Sequence, residues 1–371
     1  MRDRDFAPRP LACPTVLVVT RVVVTGAAGA IGSRVVRRLA ECAEIQEVLA
    51  VDRVGTPVAS DVESKRVDLA AGPLDSIFSG ADVVVHLASA TTPGRPEPAA
   101  EELDLAILRR VLDAAGDAGV HQVVVLSSAM VYGAWAANPV PITEDAPIRP
   151  NPDFGWAVGR ADVERLAAEW GSRRHDTAVA ILRPTAIVSD DELGGLARVL
   201  HAARVGVAAD GDPPVQYLHI DDLAAAVVVA VASRLDGVAN VAPDGWIPPD
   251  ALSDLEGPVP RLRVPSWAAR ALAAARWRFG VSPVPPGVVP YTSHSWVVSN
   301  DRMRALGWQA THTNEEAWVV SHEPGPLDRI PARRRQELAL VVTIVAVVGA
   351  AVGLGVLVRW LRRRSGGHVE M

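Results

Sequence analysis

The sequence predicts an α/β protein: a doubly wound parallel sheet, a smaller C-terminal substrate lobe and one transmembrane helix near the C-terminal end. Three observations predict it. Short apolar runs alternate with helix-spaced segments through the first half of the chain, a glycine-rich turn links the first such pair, and residues 338–358 carry no charge.

Residues 22–25, 47–51, 62–67, 82–87, 122–126 and 178–182 read as buried strands of a parallel sheet covered on both faces, and all but 62–67 are mostly apolar. Between them, 30–41, 99–117 and 157–170 space Ala, Leu and Val as helices do. That alternation assigns 15–190 to one nucleotide-binding domain. Beyond residue 185 the rhythm changes: helical segments 193–204 and 221–233 alternate with short strands 215–218 and 238–241 and with Pro/Gly-rich loops. Residues 191–323 are therefore assigned to the second lobe, interleaved with the first. Residues 266–279 predict a helix with Ser266 as N-cap. Packing against the body is the favoured reading of that helix over contact with a membrane, because its apolar residues form no strong stripe.

Composition narrows the function. The 371 residues are 49% hydrophobic and 22% charged, with a net charge of −6, so the chain has no electrostatic footprint for nucleic acid. Cys13 and Cys42 are the only cysteines and indicate neither a disulfide framework nor a metal site. Lys65 is the only lysine, so arginine stands where other chains use lysine. The uncharged run 338–358 is 21 residues long, against the roughly 20 a helix needs to cross a bilayer. Arg333, Arg334 and Arg335 precede it, and Arg359, Trp360, Arg362, Arg363 and Arg364 follow. Residues 324–337 read as a linker and 359–371 as a basic tail. Residues 1–14 read as a disordered leader with no secretory signal. The expected arrangement is single-pass, C-terminally anchored, with the body in the cytoplasm. Gly349 and Gly353, four apart, would let two such helices approach closely and admit a homodimer.

The turn after the first strand reads Thr25-Gly26-Ala27-Ala28-Gly29-Ala30-Ile31-Gly32. Gly26 permits the tight turn, Gly29 lets backbone approach a pyrophosphate, and Gly32 lets the helix pack on the sheet, the Rossmann arrangement for a dinucleotide. The helix start offers free N–H groups and a partial positive charge to phosphate. Asp52 follows Gly32 by twenty residues, at the end of the next strand. Its carboxylate suits ribose hydroxyls and repels a 2′-phosphate, which favours NAD over NADP, although the neighbouring Arg53 could serve such a phosphate.

Together these motifs resemble the extended short-chain dehydrogenase/reductases, the NAD-dependent epimerase/dehydratase group, over roughly residues 20 to 320. The resemblance implies an adenine contact at Asp68-Leu69. It implies a strand passing beneath the cofactor at His86-Leu87-Ala88-Ser89, and a catalytic hydroxyl at Ser128 within Leu126-Ser127-Ser128-Ala129-Met130-Val131-Tyr132-Gly133. Leu182-Arg183-Pro184 resembles the segment at the nicotinamide end, which brings in Pro184. His219-Ile220-Asp221-Asp222-Leu223 resembles a motif of the substrate-side half, where a structural His219 is favoured over a catalytic one. His86 reads as a hydrogen-bonded core residue. The implied cofactor contacts are Gly26, Ala28, Gly29, Ala30, Ile31, Gly32, Asp52, Arg53, Asp68, Leu69, Leu87, Ala88, Ser89, Arg160 and Pro184.

The family's Tyr-x-x-x-Lys pair is where the resemblance breaks. Ala161 and Glu164 set the frame, and it puts Trp156 at the tyrosine position and Arg160 at the lysine position. An indole N–H has no useful acidity and cannot shuttle a proton. Arg160 keeps the charge in a different shape. Asp104 stands where the family usually has Asn. The three tyrosines, Tyr132, Tyr217 and Tyr291, are all remote from this helix in sequence. Two functions are expected from this: an oxidoreductase acting on a nucleotide sugar or a similar hydroxyl/carbonyl compound, or a catalytically silent NAD(P)-binding sensor or scaffold at the membrane.

Overall fold

The structure is a computed structural model. It describes residues 19–55, 62–94, 98–190, 192–204, 207–209, 211–256, 262–282 and 284–322. The expected leader (1–14), linker (324–337), transmembrane helix (338–358) and basic tail (359–371) lie outside the described residues. Among the described residues no helix is long and apolar enough to cross a membrane.

The first half alternates as its hydrophobic runs predict. In order come β1 (Val19–Thr25), α1 (Ala30–Ala40), β2 (Ile45–Asp52), β3 (Glu63–Arg66), α2 (Leu74–Phe78), β4 (Val83–His86), α3 (Pro98–Asp117), β5 (Gln122–Leu126), α4 (Gly155–Gly171) and β6 (Ala178–Pro184). The second half adds β7 (Ala186–Ser189), β8 (Glu192–Leu193), α5 (Gly195–Arg204), β9 (Val207–Ala209), β10 (Tyr217–His219), α6 (Ile220–Ala232), β11 (Gly237–Val241), α7 (Pro249–Glu256), β12 (Leu262–Val264), α8 (Ser266–Arg278), α9 (Asp301–Ala305) and α10 (Asn314–Ser321).

Seven parallel strands form the main sheet in the order β11-β6-β5-β4-β1-β2-β3. β4 and β6 are buried along their whole length, which is why they read as unbroken apolar runs. Helices α1 and α6 pack their apolar sides on one face, with Val35, Val36, Leu39, Leu223 and Val227 in that core. Helices α2, α3 and α4 cover the other, around Phe78, Leu108, Leu112, Val163 and Trp170. Eleven of the thirteen residues of α6 are buried. It is apolar on all sides because sheet and second lobe enclose it. β11 joins the main sheet beside β6, so residues 220–241 belong physically to the first half. The second lobe has its own core around Tyr132, Phe154, Tyr217, Tyr291 and Trp318.

Two local expectations are corrected. β3 is a strand but not a buried one: Glu63, Ser64 and Arg66 are exposed, where 62–67 reads as buried. Pro265 rather than Ser266 is the N-cap of α8, and its ring supplies no side-chain cap. Helix α8 packs on the body as expected, through Ala269 and Ala273 against Ala209 and Val289, with Ala269 its one buried residue.

Candidate active site

The strand order reverses between β1 and β4, and the crevice outside the C-terminal ends of such strands is where an open parallel sheet binds ligands. A cavity of about 350 Å³ lies there. Ala30 and Ile31 line it from the start of α1, His86 to Ser89 from the end of β4, Val125 to Ser128 from β5, and Pro184 and Thr185 from β6. Trp156 and Arg160 from α4 and Asp104 from α3 complete that wall.

The glycine turn has the tight geometry its sequence predicts. Gly26 has φ +75°, and a Cβ there would lie 2.5 Å from the Ala88 nitrogen. At Gly32 a Cβ would lie 2.1 Å from the Gly26 carbonyl oxygen, so the helix sits against the turn as only glycine permits. Gly29 is the N-cap of α1, and no side chain caps that helix. Its first turn holds no acidic residue either, so the positive end of the dipole is left for a ligand.

Asp52 ends β2 and accepts hydrogen bonds from the Ala28 N–H at 2.9 Å and the Val54 N–H at 3.1 Å. The acid and the glycine turn are therefore in contact. Arg53 is exposed beside it, and its carbonyl accepts from Arg66 Nε at 2.9 Å. Asp68 is exposed just past β3, where it accepts from the Ala70 N–H, and Leu69 is buried with its carbonyl bound by Arg110. These adenine-side candidates sit beyond the cavity wall. Leu87, Ala88, Ser89, Ser128, Arg160 and Pro184 all line it.

Two departures from the family pattern meet in space. Arg160 Nη2 donates to Asp104 Oδ2 at 2.7 Å, and both side chains are nearly buried. Asp104 also accepts from Ser89 Oγ (2.7 Å), Thr91 Oγ1 (2.9 Å) and the Ala90 N–H (2.6 Å). Burial lowers the Arg160 pKa, and the Asp104 carboxylate opposes that loss of charge. Arg160 Nε is buried with no hydrogen-bond partner, and so is the Thr185 hydroxyl. Two buried donors without acceptors in one cavity wall point to a ligand.

The remaining groups divide clearly. Ser128 Oγ accepts from the Met130 N–H at 3.3 Å, which leaves its proton free to donate. Trp156 is half-buried, 5.9 Å from the Phe154 ring and 6.0 Å from the Arg160 guanidinium carbon. His86 Nδ1 lies 2.8 Å from Thr25 Oγ1, and burial lowers its pKa to about 4, so it is neutral near pH 7. No tyrosine lines the cavity. Tyr132 lies between Arg183 and Asn240, and Tyr291 donates to the Met130 carbonyl. Tyr291 is nevertheless not remote from α4: its ring packs 5.8 Å from Phe154, at the helix start. Burial raises its pKa, so it is no base. Arg183 turns to Glu164, while its neighbour Pro184, the expected contact of that segment, lines the cavity. His219 caps α6 and stacks on His312 at 4.0 Å, outside the cavity lining.

Sequence reasoning missed Thr25, Thr91 and Thr185, and it did not join Asp104 to Arg160. The available signal was a pair of departures with opposite charge.

A model of the NAD dependent epimerase/dehydratase family matches residues 22–242. A 3-diazoavenalumate denitrifying reductase of Streptomyces is 30% identical over 325 residues, 79% of this chain and 96% of the relative. An uncharacterized protein of Mycobacterium tuberculosis is 28% identical over 308 residues, 80% of this chain and 82% of its own length. Among solved structures, the UDP-glucose 4-epimerase of Thermus thermophilus in complex with NAD is similar in fold, with TM-score 0.61 and 22% identity, covering 81% of this chain and 97% of that one.

Proposed function

This chain belongs to the NAD dependent epimerase/dehydratase family, and from that premise we propose that it binds NAD at the β1/β4 switch point and acts as a membrane-anchored oxidoreductase. The observation that carries the reading is one cavity holding an uncapped helix start, a free Arg160 Nε and a free Thr185 hydroxyl. Bound NAD supplies a hydride acceptor or donor. Asp52 and the glycine turn hold the adenosine end, and the carboxylate disfavours a 2′-phosphate. Arg160 Nε and Thr185 offer donors to the cofactor's other end. The substrate is a nucleotide sugar or a similar hydroxyl/carbonyl compound, and Ser128 donates a hydrogen bond to its oxygen. A UDP-glucose 4-epimerase of Azospirillum brasilense (29% identical) and a dTDP-glucose 4,6-dehydratase of Streptomyces griseus (26% identical) support the sugar-nucleotide substrate, and the Streptomyces reductase supports an oxidoreductase. Residues 338–358 anchor the chain, with the body in the cytoplasm, and admit a homodimer through Gly349 and Gly353.

A second reading, a catalytically silent NAD(P) sensor or scaffold, is favoured by Trp156 and by the absence of any tyrosine from the cavity wall. Calorimetric titration of NAD and NADP into the detergent-solubilised chain tests the shared premise. Tight NAD and weak NADP binding supports it, and no binding of either refutes it. Hydride exchange that is lost in Ser128→Ala then selects the enzyme. In the double variant Trp156→Tyr, Arg160→Lys, new or increased turnover would show that only the acid/base pair had been lost. NAD binding without such a gain would show that the substrate site had gone as well.

A further inference from the structure

Helix α8 is an unpartnered surface of unusual composition. Trp267 is 75% exposed and Phe279, which follows the helix, is 80% exposed; Val281 and Leu272 are exposed as well. At roughly 3.6 residues per turn, Ala269, Ala273 and Trp277 face the body. Ala269 and Ala273 do so in a small cluster with Ala209 and Val289. Leu272, Ala275 and Phe279 point the other way, and Trp267 and Ala271 lie at the edge, bordering an open cleft against Pro286, Val289 and Pro290. The outward side is thus the more apolar one, the reverse of a helix evolved for water alone.

Its charges have one sign. Residues 262–282 contain Arg263, Arg270, Arg276 and Arg278 and no acidic residue. Arg263 pairs with Asp212 and Arg270 with Asp153. Among the described residues neither Arg276 nor Arg278 has an ion-pair partner. An exposed apolar face with Trp and Phe, rimmed by unpaired arginines, is the chemistry that an anionic lipid surface recognises. The chain also has the reach. Fifteen residues, 323–337, separate the end of the described structure from the uncharged run at 338, a span of up to roughly 50 Å when extended.

We propose that α8 is a second, peripheral membrane contact, laying Trp267, Leu272 and Phe279 on an anionic bilayer with Arg276 and Arg278 at the headgroups. The proposal rests on the reading of 338–358 as an anchor only for the proximity that the anchor provides. Such a contact would fix the orientation of the body, and with it the cavity mouth, relative to the membrane.

The test uses the full chain in vesicles of phosphatidylglycerol and phosphatidylcholine, carrying photoreactive benzoylphenylalanine in place of Leu272 or Phe279. Ile148, exposed elsewhere, is the control position. Lipid adducts are expected at 272 and 279 at about tenfold the yield at 148. They should fall by a similar factor in Arg276→Glu, Arg278→Glu, or in vesicles of phosphatidylcholine alone. All three sites are exposed, so the variants retain the fold. Adducts to a second copy of the chain, or no adducts above the control, overturn the proposal. Alkaline carbonate extraction reads the anchor separately. A chain that resists extraction yet gives no lipid adduct defeats the helix contact alone. One that is extracted but gives adducts when added to vesicles defeats only the anchor.

Discussion

Helix α4 carries one partner of each of two buried arginine–carboxylate pairs, Arg160 with Asp104 and Glu164 with Arg183, and the two are built differently. Glu164 receives Arg183 through Nε at 3.0 and 3.1 Å and through Nη2 at 2.6 Å, and it also accepts from Ser127. Arg183 Nη1 donates to the Tyr132 hydroxyl at 2.6 Å, which in turn donates to Asn240 at 2.8 Å, so each Arg183 nitrogen has a partner. Burial works against the Arg183 charge, but the Glu164 hydrogen bonds outweigh it and hold the pKa above the ordinary value. That network ties α4 to β5, β6 and β11. Arg160, one helical turn earlier, makes its bonds through Nη2 and leaves Nε without an acceptor at the cavity wall. Saturation marks the pair that holds the fold together. Spare donor capacity marks the pair that faces a ligand.

Breaking the saturated pair has the largest expected effect. Arg183→Met leaves Glu164 as an uncompensated buried charge, and urea unfolding should show a loss of roughly 3–5 kcal/mol. The double variant Arg183→Met, Glu164→Leu should recover most of it, because a buried pair replaced by apolar groups is close to neutral. A single-variant loss below about 1 kcal/mol would mean that the network is no more than a surface-strength interaction.

The next effect is read through pH. His86 lies beside the open pair: burial lowers its pKa most, Asp104 raises it and Arg160 lowers it. Its folded value of about 4 lies below its ordinary 6.5, so between those values the unfolded chain binds a proton that the folded chain refuses. The stability contributed by neutral His86 is complete above pH 6.5 and is lost as pH falls toward 4, a difference of roughly 3 kcal/mol. Denaturant titrations of wild type and His86→Gln across that window should differ in slope by this amount. Parallel curves would place the acid sensitivity elsewhere.

The contrast between the two pairs also explains how much could be read in advance. The valine runs of β1, β4 and β5 and the glycine turn were legible, because burial on both faces and φ +75° at Gly26 each restrict residue choice locally. Neither ion pair was legible. Asp104 and Arg160 are 56 residues apart, and each by itself looked like an isolated departure from a family pattern. The turn of Arg183 to Glu164 had no sequence signal, because β6 is buried throughout and no alternation tells which face a side chain takes. Which side of helix α8 meets the body was not legible for a related reason: alanine covers both its sides and suits water or core equally. The candidate cofactor residues of the glycine turn came directly from spacing. The unpartnered Thr185 hydroxyl had no sequence signal, since only the fold brings it to the cavity.

The smallest expected effect sharpens the comparison most. Asp104→Asn keeps the shape of the side chain and removes the charge that balances Arg160. If the open pair were simply another structural ion pair, the cost would match that of Arg183→Met. Water or ligand can reach Arg160 through the cavity, so the loss should be about 1–2 kcal/mol instead. The same change leaves Arg160 Nη2 its bonds to Ser89 and Thr91 but removes the carboxylate paired with the guanidinium beside His86. The loss of stability on acidification should therefore deepen and extend below pH 4, because Arg160 depresses the His86 pKa and Asp104 no longer raises it. Binding should separate the two roles further. Saturating NAD should restore the stability of Asp104→Asn, by bringing acceptors to Arg160, and should leave the deficit of Arg183→Met in place. Equal rescue of both variants by NAD would show that the two pairs are not separate in function, and that the spare donor on Arg160 does not distinguish them.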